Sequence, residues 1–254
     1  MNNGFIDIHC HILPGLDEGA SNIEESMHML QIAKKDGISA IVAAPHIMDG
    51  VYNNTREIIV KAISELKEVT NTLPIYAGAE VRICRDLVNR INNQEIPLVN
   101  DKRYLLLELP AYVLPPIFEL ENIIRNLTIN KITPIFAHPE RNAIILNNLS
   151  IMERFIMQGA FFQVTAMSIS NHMGRDIHKA TLKMIRQNYV HVVATDAHNE
   201  KNRPPILSDA YMKIMREFGE YEAQRLFIKN PLKVIKGESI ESLDEYQKFS
   251  PYCS

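Results

Sequence analysis

Residues of metal-ligand type close the apolar runs of this chain. The first run leads into His9-Cys10-His11 and the last into Asp196-Ala197-His198. Four runs between them each end on one such residue: His46, Glu80, Glu108 and His138. Side chains two apart on a strand point to the same side, so each flanking pair can aim two groups into one space. One pair carries little information. Six strand ends delivering His, Asp or Glu point to a single site for several metal ions. Imidazole mixed with carboxylate suits Zn2+, Mn2+ or Fe. Ions about 3.5–4 Å apart can share a hydroxide, a nucleophile that needs no Ser or Cys, while polarising a phosphoryl or acyl oxygen.

Two arginines lie close to these ligands. Arg141 ends His138-Pro139-Glu140-Arg141, and Arg203 follows Asp196-Ala197-His198-Asn199 in the same loop. The planar guanidinium grips phosphate oxygens bidentately and stays charged. Metals with two arginines therefore favour a phosphate ester over a peptide or amide. Each piece also has an ordinary reading. A histidine at a strand end is usually a hydrogen-bonded structural residue. Glu108 can be an edge charge, and Arg141 and Arg203 can pair with Glu140 and Glu200 as loop cations. Those readings must hold at six strands at once, which tells against them jointly. His28 and His178 on helices, His172 in a loop and His191 in a strand are assigned ordinary roles. The acidic pair Asp17-Glu18 sits in a turn before Gly19, directly after His11, and one of the two can reach a metal. Cys84 and Arg90 match the Cys-x5-Arg spacing of cysteine-dependent phosphatases. That segment has no glycine to let backbone N–H groups wrap a phosphate, so the match is read as coincidence.

Parallel strands alternating with helices would position these groups. Strands are expected at residues 5–9, 38–44, 74–79, 104–109, 133–137, 160–164 and 190–194. They are short, apolar and not cleanly alternating, as suits a parallel sheet covered by helices. Helices are expected between them. Ser21 and Glu24 form a capping box for a helix running to Asp36, and Thr55 caps the next. Further helices are expected at residues 86–91, 117–129, 148–157, 176–186, 208–218 and 220–228. Because every candidate ligand follows the C-terminal end of its strand, and six strands contribute, a closed barrel fits better than a doubly wound sheet. The ligand count suits a distorted barrel of fewer than eight strands.

The 254 residues show no linker or repeat and read as one domain over 1–254, with a loose polar tail from about Gly237. A net charge of -3 gives no basic field to recruit nucleic acid. The N-terminus lacks an apolar leader and no stretch approaches a membrane span, so a cytoplasmic protein without direct membrane insertion is expected. Cys10, Cys84 and Cys253 are scattered and odd in number, as reduced thiols are. Tyr246 and Tyr252 in the tail are given no role.

The run from Ile6 to Ala20, with His9-Cys10-His11 and Leu16-Asp17-Glu18-Gly19, resembles the opening motif of the PHP (polymerase and histidinol phosphatase) superfamily. It is most similar to the bacterial metal-dependent protein-tyrosine phosphatases of capsule and exopolysaccharide synthesis. Tyr76-Ala77-Gly78-Ala79-Glu80, Arg103 to Glu108, Ala137 to Arg141, Ala194 to Asn199 and Arg203-Pro204-Pro205 agree with that branch. The resemblance covers about Phe5 to Leu232. It implies an α/β fold, a distorted (β/α)7 TIM-like barrel, holding three divalent ions, most often Mn2+, with Fe or Zn2+ as alternatives. It assigns His9, His11, Glu80 and Asp196 to one ion and Glu80, Glu108 and His138 to a second. His46, His198 and Glu18 would serve the third, with Arg141 and Arg203 on the phosphate. It implies hydrolysis of phosphotyrosine on the tail of a membrane-associated tyrosine autokinase, by direct attack of a metal-bridged hydroxide and without a phosphoenzyme. A small-molecule phosphatase of the histidinol-phosphate type and a non-catalytic scaffold module are the alternatives. Two positions depart from the branch: Glu18 stands where Asp is usual and Thr165 where Asn is common.

Overall fold

The computed structural model describes residues 4–47 and 50–240. Nine strands run β1 Phe5–Cys10, β2 Ile38–Ala43, β3 His46–Ile47, β4 Ile75–Ala77, β5 Glu80–Arg82, β6 Tyr104–Glu108, β7 Thr133–Ala137, β8 Phe161–Thr165 and β9 Val192–Ala194. Every strand pair is parallel, in two sheets ordered β1-β2-β4 and β3-β5-β6-β7-β8-β9. The protein is thus an α/β fold built on parallel sheets. Parallel neighbours need long crossovers, and the helices between strands supply them.

Two expected strands, 38–44 and 74–79, stop near their expected ends, and a second short strand follows each after a two-residue break. β2 and β3 are separated by Ala44-Pro45, because proline cannot donate to a ladder. β4 and β5 are separated by Gly78-Ala79. A Cβ at Gly78 would stand 2.6 Å from Val42 Cγ1, so only glycine lets the chain pass this close. Hydrogen bonds bridge the breaks and the flanks. Ala44 N donates to Cys10 O and Glu80 N to Pro45 O. At the opposite flank Asp196 N donates to His9 O and His11 N to Ala197 O, each 2.8 Å, beside a parallel bridge between Cys10 and Ala197.

Helices Ile117–Ile129 and Ser208–Phe218 fall where helical spacing places them. The first helix, Ile23–Lys35, is capped one residue later than expected. Asn22 Oδ1 accepts from Glu25 N, and the Glu25 carboxylate accepts from the Ser21 N–H and hydroxyl. The N-cap is Asn22 rather than Ser21, and the carboxylate that reaches back is that of Glu25 rather than Glu24, with Ser21 as its partner. The helix expected at 220–228 continues through a π turn, Arg225–Lys229, into Asn230–Lys236. The tail is held further than expected. Tyr104 Oη donates to Glu238 O, Arg103 reaches Ser239, and Ile240 is buried. Residues 241–254, including Cys253, Tyr246 and Tyr252, lie outside the described residues.

His191, just before β9, is buried in the core. Its Nδ1 accepts from Phe162 N at 3.2 Å and its ring stacks on Phe161. Burial, with the nearby Arg225 cation, lowers its pKa to about 3. The unfolded chain takes up this proton below its ordinary value of about 6.5, and the folded chain does not until about pH 3. Stability from this group is therefore complete above pH 6.5 and is lost as pH falls toward 3. Unfolding at pH 4.5 is expected to be easier by about 2–3 kcal/mol than at pH 7 on this account. His191→Gln should flatten that slope in denaturant titrations; an unchanged slope refutes the assignment.

Candidate metal centre

Strand ends gather the ligand-type residues around one cavity of about 220 Å3. Its lining includes Glu18, His46, Glu80, Glu108, His138, Arg141, Asp196, His198 and Arg203. The alternation of β1 explains its part. His9 and His11 turn to the cavity side while Cys10 packs into the apolar core. His46 opens β3, Glu80 opens β5, Glu108 ends β6, and His138 and Asp196 follow β7 and β9. His138 (φ 35°) and Asp196 (φ 53°) sit in the left-handed region. That costs on the order of 1–2 kcal/mol each for a side chain with a Cβ, and it turns both groups inward as the chain leaves the sheet.

Three groups of donor atoms converge. His9, His11, Glu80 and Asp196 each bring one atom within 4.8 Å of the others. His9 Nε2 and His11 Nε2 are 3.2 Å apart, and Glu80 Oε2 lies 3.1 and 3.3 Å from them. Asp196 Oδ1 completes the set at 3.5 and 3.3 Å. A second group joins His46, Glu80 and Glu108, and a third joins His11, His46 and His198. His138 Nε2 stands 2.6 Å from Glu80 Oε1, which ties it to the second group. Glu18 Oε1 reaches His46 Nε2 at 2.9 Å and His198 Nε2 at 3.5 Å, at the third. Glu80 and His46 are shared, so the groups are contiguous.

The tautomers set by the surroundings fit bound cations. His9 Nδ1 donates to Gln163 Oε1 at 2.9 Å, His11 Nδ1 to Asp17 Oδ2 at 2.6 Å, and His198 Nδ1 to Asp196 O at 2.9 Å. In each ring the outer N–H is engaged, so the Nε2 lone pair faces the cluster. Buried His46 Nδ1 finds no hydrogen-bond partner among the described residues, whereas Glu108 Oε2 is met by the Arg82 guanidinium at 3.2 Å. The orphaned His46 lone pair requires a cation or solvent.

Electrostatics tell the same story. Burial pushes the imidazoles of His9 and His11 down, yet Glu80, Asp196 and, for His11, Asp17 hold both above the usual histidine value. Burial would raise Glu80 and Asp196, but His9 and His138 around Glu80, and Arg141 and His9 around Asp196, keep both carboxyls well below their usual range. Burial and the Glu80 charge lift Glu108. The carboxylates demand positive charge, supplied either by protons on imidazole or by divalent ions. The mixed N,O donor set accommodates Mn2+, Zn2+ or Fe.

Both arginines turn to Asp196 rather than to the glutamates considered for them. Arg141 Nη1 lies 2.6 Å and Arg203 Nη2 2.5 Å from Asp196 Oδ2. Glu140 instead accepts from Thr165 N, Thr165 Oγ1 and Ser168 Oγ, and Glu200 accepts from His28. The Cys84 thiol is raised by burial, and Arg90 pairs with Glu95 at 2.9 Å, so no phosphate loop exists there.

The sequence pattern of the capsular polysaccharide synthesis family CpsB/CapC matches residues 5–236. The chain belongs to this family. CapC of Staphylococcus aureus is 35% identical to it over 241 residues, covering 92% of each chain. The tyrosine-protein phosphatase YwqE of Bacillus subtilis is 31% identical over 239 residues, covering 92% of this chain and 93% of YwqE. A crystal structure from the work on YwqE and on CpsB of Streptococcus pneumoniae, described as metal-dependent tyrosine phosphatases, superposes with a TM-score of 0.90. It covers 94% of this chain and 98% of the other at 31% identity.

In this CpsB/CapC chain the first-loop acids divide their work. Asp17 accepts from His11 Nδ1, His46 N and Gly19 N, so it orients a histidine. Glu18 points to the cavity. Gly19 is required because a Cβ there would collide with the His11 carbonyl. Several contributors went unread in the sequence. Gln163 anchors His9, and a polar residue inside an apolar strand was its only signal. Arg82 Nη2 lies 3.2 Å from Glu108 Oε2, brought there by the β5–β6 register. Asp7, lifted to about 6 by burial, accepts from Thr195 N and Thr195 Oγ1 and clasps β1 to the end of β9.

Proposed function

We propose that this protein is a metal-dependent phosphomonoesterase that hydrolyses phosphotyrosine on a protein. The observation that carries it is a buried His–carboxylate cluster with two guanidinium groups converging on its edge at Asp196. Residues 5–236 form the working domain, and the two sheets are arcs of one distorted seven-stranded barrel. The hydrogen bonds from Glu80 to Pro45 and between the ends of β1 and β9 support that closure. His9, His11, Glu80 and Asp196 hold one ion, Glu80, Glu108 and His138 a second, and His46, His198 and Glu18 a third, with Mn2+ as the ion. His46 also faces Glu108 through Nδ1, so it stands between the second and third.

Divalent ions bound there supply a water of lowered pKa and polarise a phosphoryl oxygen. The chain does the rest. Arg141 and Arg203 present their forks to the equatorial phosphoryl oxygens and spread the charge that develops there. Leu109, Ala111 and Pro139 give the cavity an apolar wall for an aryl group. A phenol of pKa about 10 leaves without a strong general acid, which favours phosphotyrosine over phosphoserine. No Ser, Thr or Cys lines the cavity among the described residues, so no hydroxyl or thiol there can carry the phosphoryl group. The substrate we assign is the phosphorylated tail of a membrane-associated tyrosine autokinase of capsule or exopolysaccharide synthesis, met in the cytoplasm. No helix among the described residues is long and apolar enough to cross a membrane.

Metal-loaded protein is expected to release phosphate from phosphotyrosine peptides at least tenfold faster than from histidinol phosphate. Acid-stable and base-stable trapping should find no phosphoenzyme. Preference for histidinol phosphate would replace this reading with the small-molecule one. Stoichiometric metal without turnover on any phosphoester would favour a scaffold.

A further inference from the structure

Residues 110–116 read Pro-Ala-Tyr-Val-Leu-Pro-Pro, and the three prolines restrict the backbone. The loop is also held from outside. Asn142 Nδ2 donates to Pro110 O at 2.6 Å and to Val113 O at 3.4 Å, and Ala143 N donates to Ala111 O. The Asn142 carbonyl is occupied as well, accepting from Ile144 N and Ile145 N. This well-held loop nevertheless shows solvent two apolar side chains, Tyr112 at 86% and Val113 at 60% exposure. Exposed apolar groups clustered together mark interaction sites. A loop already ordered loses little entropy when it binds.

Its place names the occupant. Leu109 and Ala111 of the same segment line the cavity, as do Asn142 and its neighbour Arg141. Tyr112 and Val113 therefore stand at the mouth, on the side of the apolar wall. A phosphotyrosine whose phosphate lies at Arg141 and Arg203 would run its ring along that wall and bring its own backbone out at this edge. Tyrosine offers an apolar face and a hydroxyl to such a strand. We propose that Tyr112 and Val113 form a specificity lip for an extended phosphotyrosine peptide with an apolar residue beside the phosphotyrosine. The lip makes the protein select a phosphate ester carried on a polypeptide. The proposal rests on the phosphatase reading of the metal centre.

The test is the double variant Tyr112→Ser/Val113→Ser, assayed metal-loaded on a phosphotyrosine peptide with leucine beside the phosphotyrosine and on p-nitrophenyl phosphate. The peptide KM is expected to rise about tenfold with kcat retained. Kinetics on p-nitrophenyl phosphate, which is too small to reach the lip, and metal content should stay as in the wild type, which also shows that the variant folds. An unchanged peptide KM, or an equal loss on both substrates, overturns the lip. Wild-type protein inactive on both substrates would instead overturn the phosphatase reading, and the lip with it.

Discussion

Chelation is expected to abolish phosphotyrosine hydrolysis by this protein, and added Mn2+ to restore it. The reason lies in the donor geometry. His9, His11 and His198 each spend their outer N–H on an oxygen, leaving inward lone pairs beside buried carboxylates. Without divalent ions these groups neutralise one another as protonated imidazole and carboxylate, and nothing remains to activate water near neutral pH. Glu80 is the most sensitive single position. It is 1% exposed, and its oxygens lie within 3.4 Å of ring nitrogens from His9, His11, His46 and His138. Glu80→Gln removes the charge shared by two groups of ligands and is expected to lower turnover on the order of a thousandfold, with loss of bound metal. Elemental analysis alongside phosphate release measures both. Full metal content in the variant, or turnover persisting in metal-free wild type, would refute the assignment.

Arg203→Ala is expected to cut turnover on the order of a hundredfold to a thousandfold while leaving metal content intact. Its Nη2 donates to Asp196 Oδ2 and to the Asp196 carbonyl. Arg141 also pairs with Asp196 Oδ2, so the carboxylate keeps one cation when Arg203 is lost. The ligand set should therefore survive, and the deficit should fall on the phosphoryl group. Arg203→Lys should rescue poorly, because a point charge replaces a planar fork. Wild-type kinetics in Arg203→Ala would return this arginine to the role of a loop cation. Parallel loss of metal and activity would make it a support for Asp196 instead.

Much of this site was legible before any coordinates. Strand ends are local features, and parallel strands place them all on one face of the fold. His9, His11, Glu80 and Asp196, separated by up to 187 positions (196 − 9), could be named together for that reason. The apolar periodicity of Ile117–Ile129 and Ser208–Phe218 is likewise local, and those helices stand at their expected bounds. The cap of the first helix missed by one residue because Ser21, Asn22, Glu24 and Glu25 all have capping chemistry. Only the backbone decided which pair would be used.

Residue types and spacing alone determined that this chain alternates strands with helices and carries imidazoles and carboxylates at strand ends, although His46 and Glu80 open short strands of their own instead of following one. Tertiary structure decided the partners. Gln163 lies 154 positions from His9, and Arg82 meets Glu108 only through strand register. Both arginines chose Asp196 over the adjacent glutamates, because the left-handed turn after β9 exposes that carboxylate to two loops at once. Periodicity is written into neighbouring residues, whereas a contact between distant ones exists only once both parallel sheets have assembled.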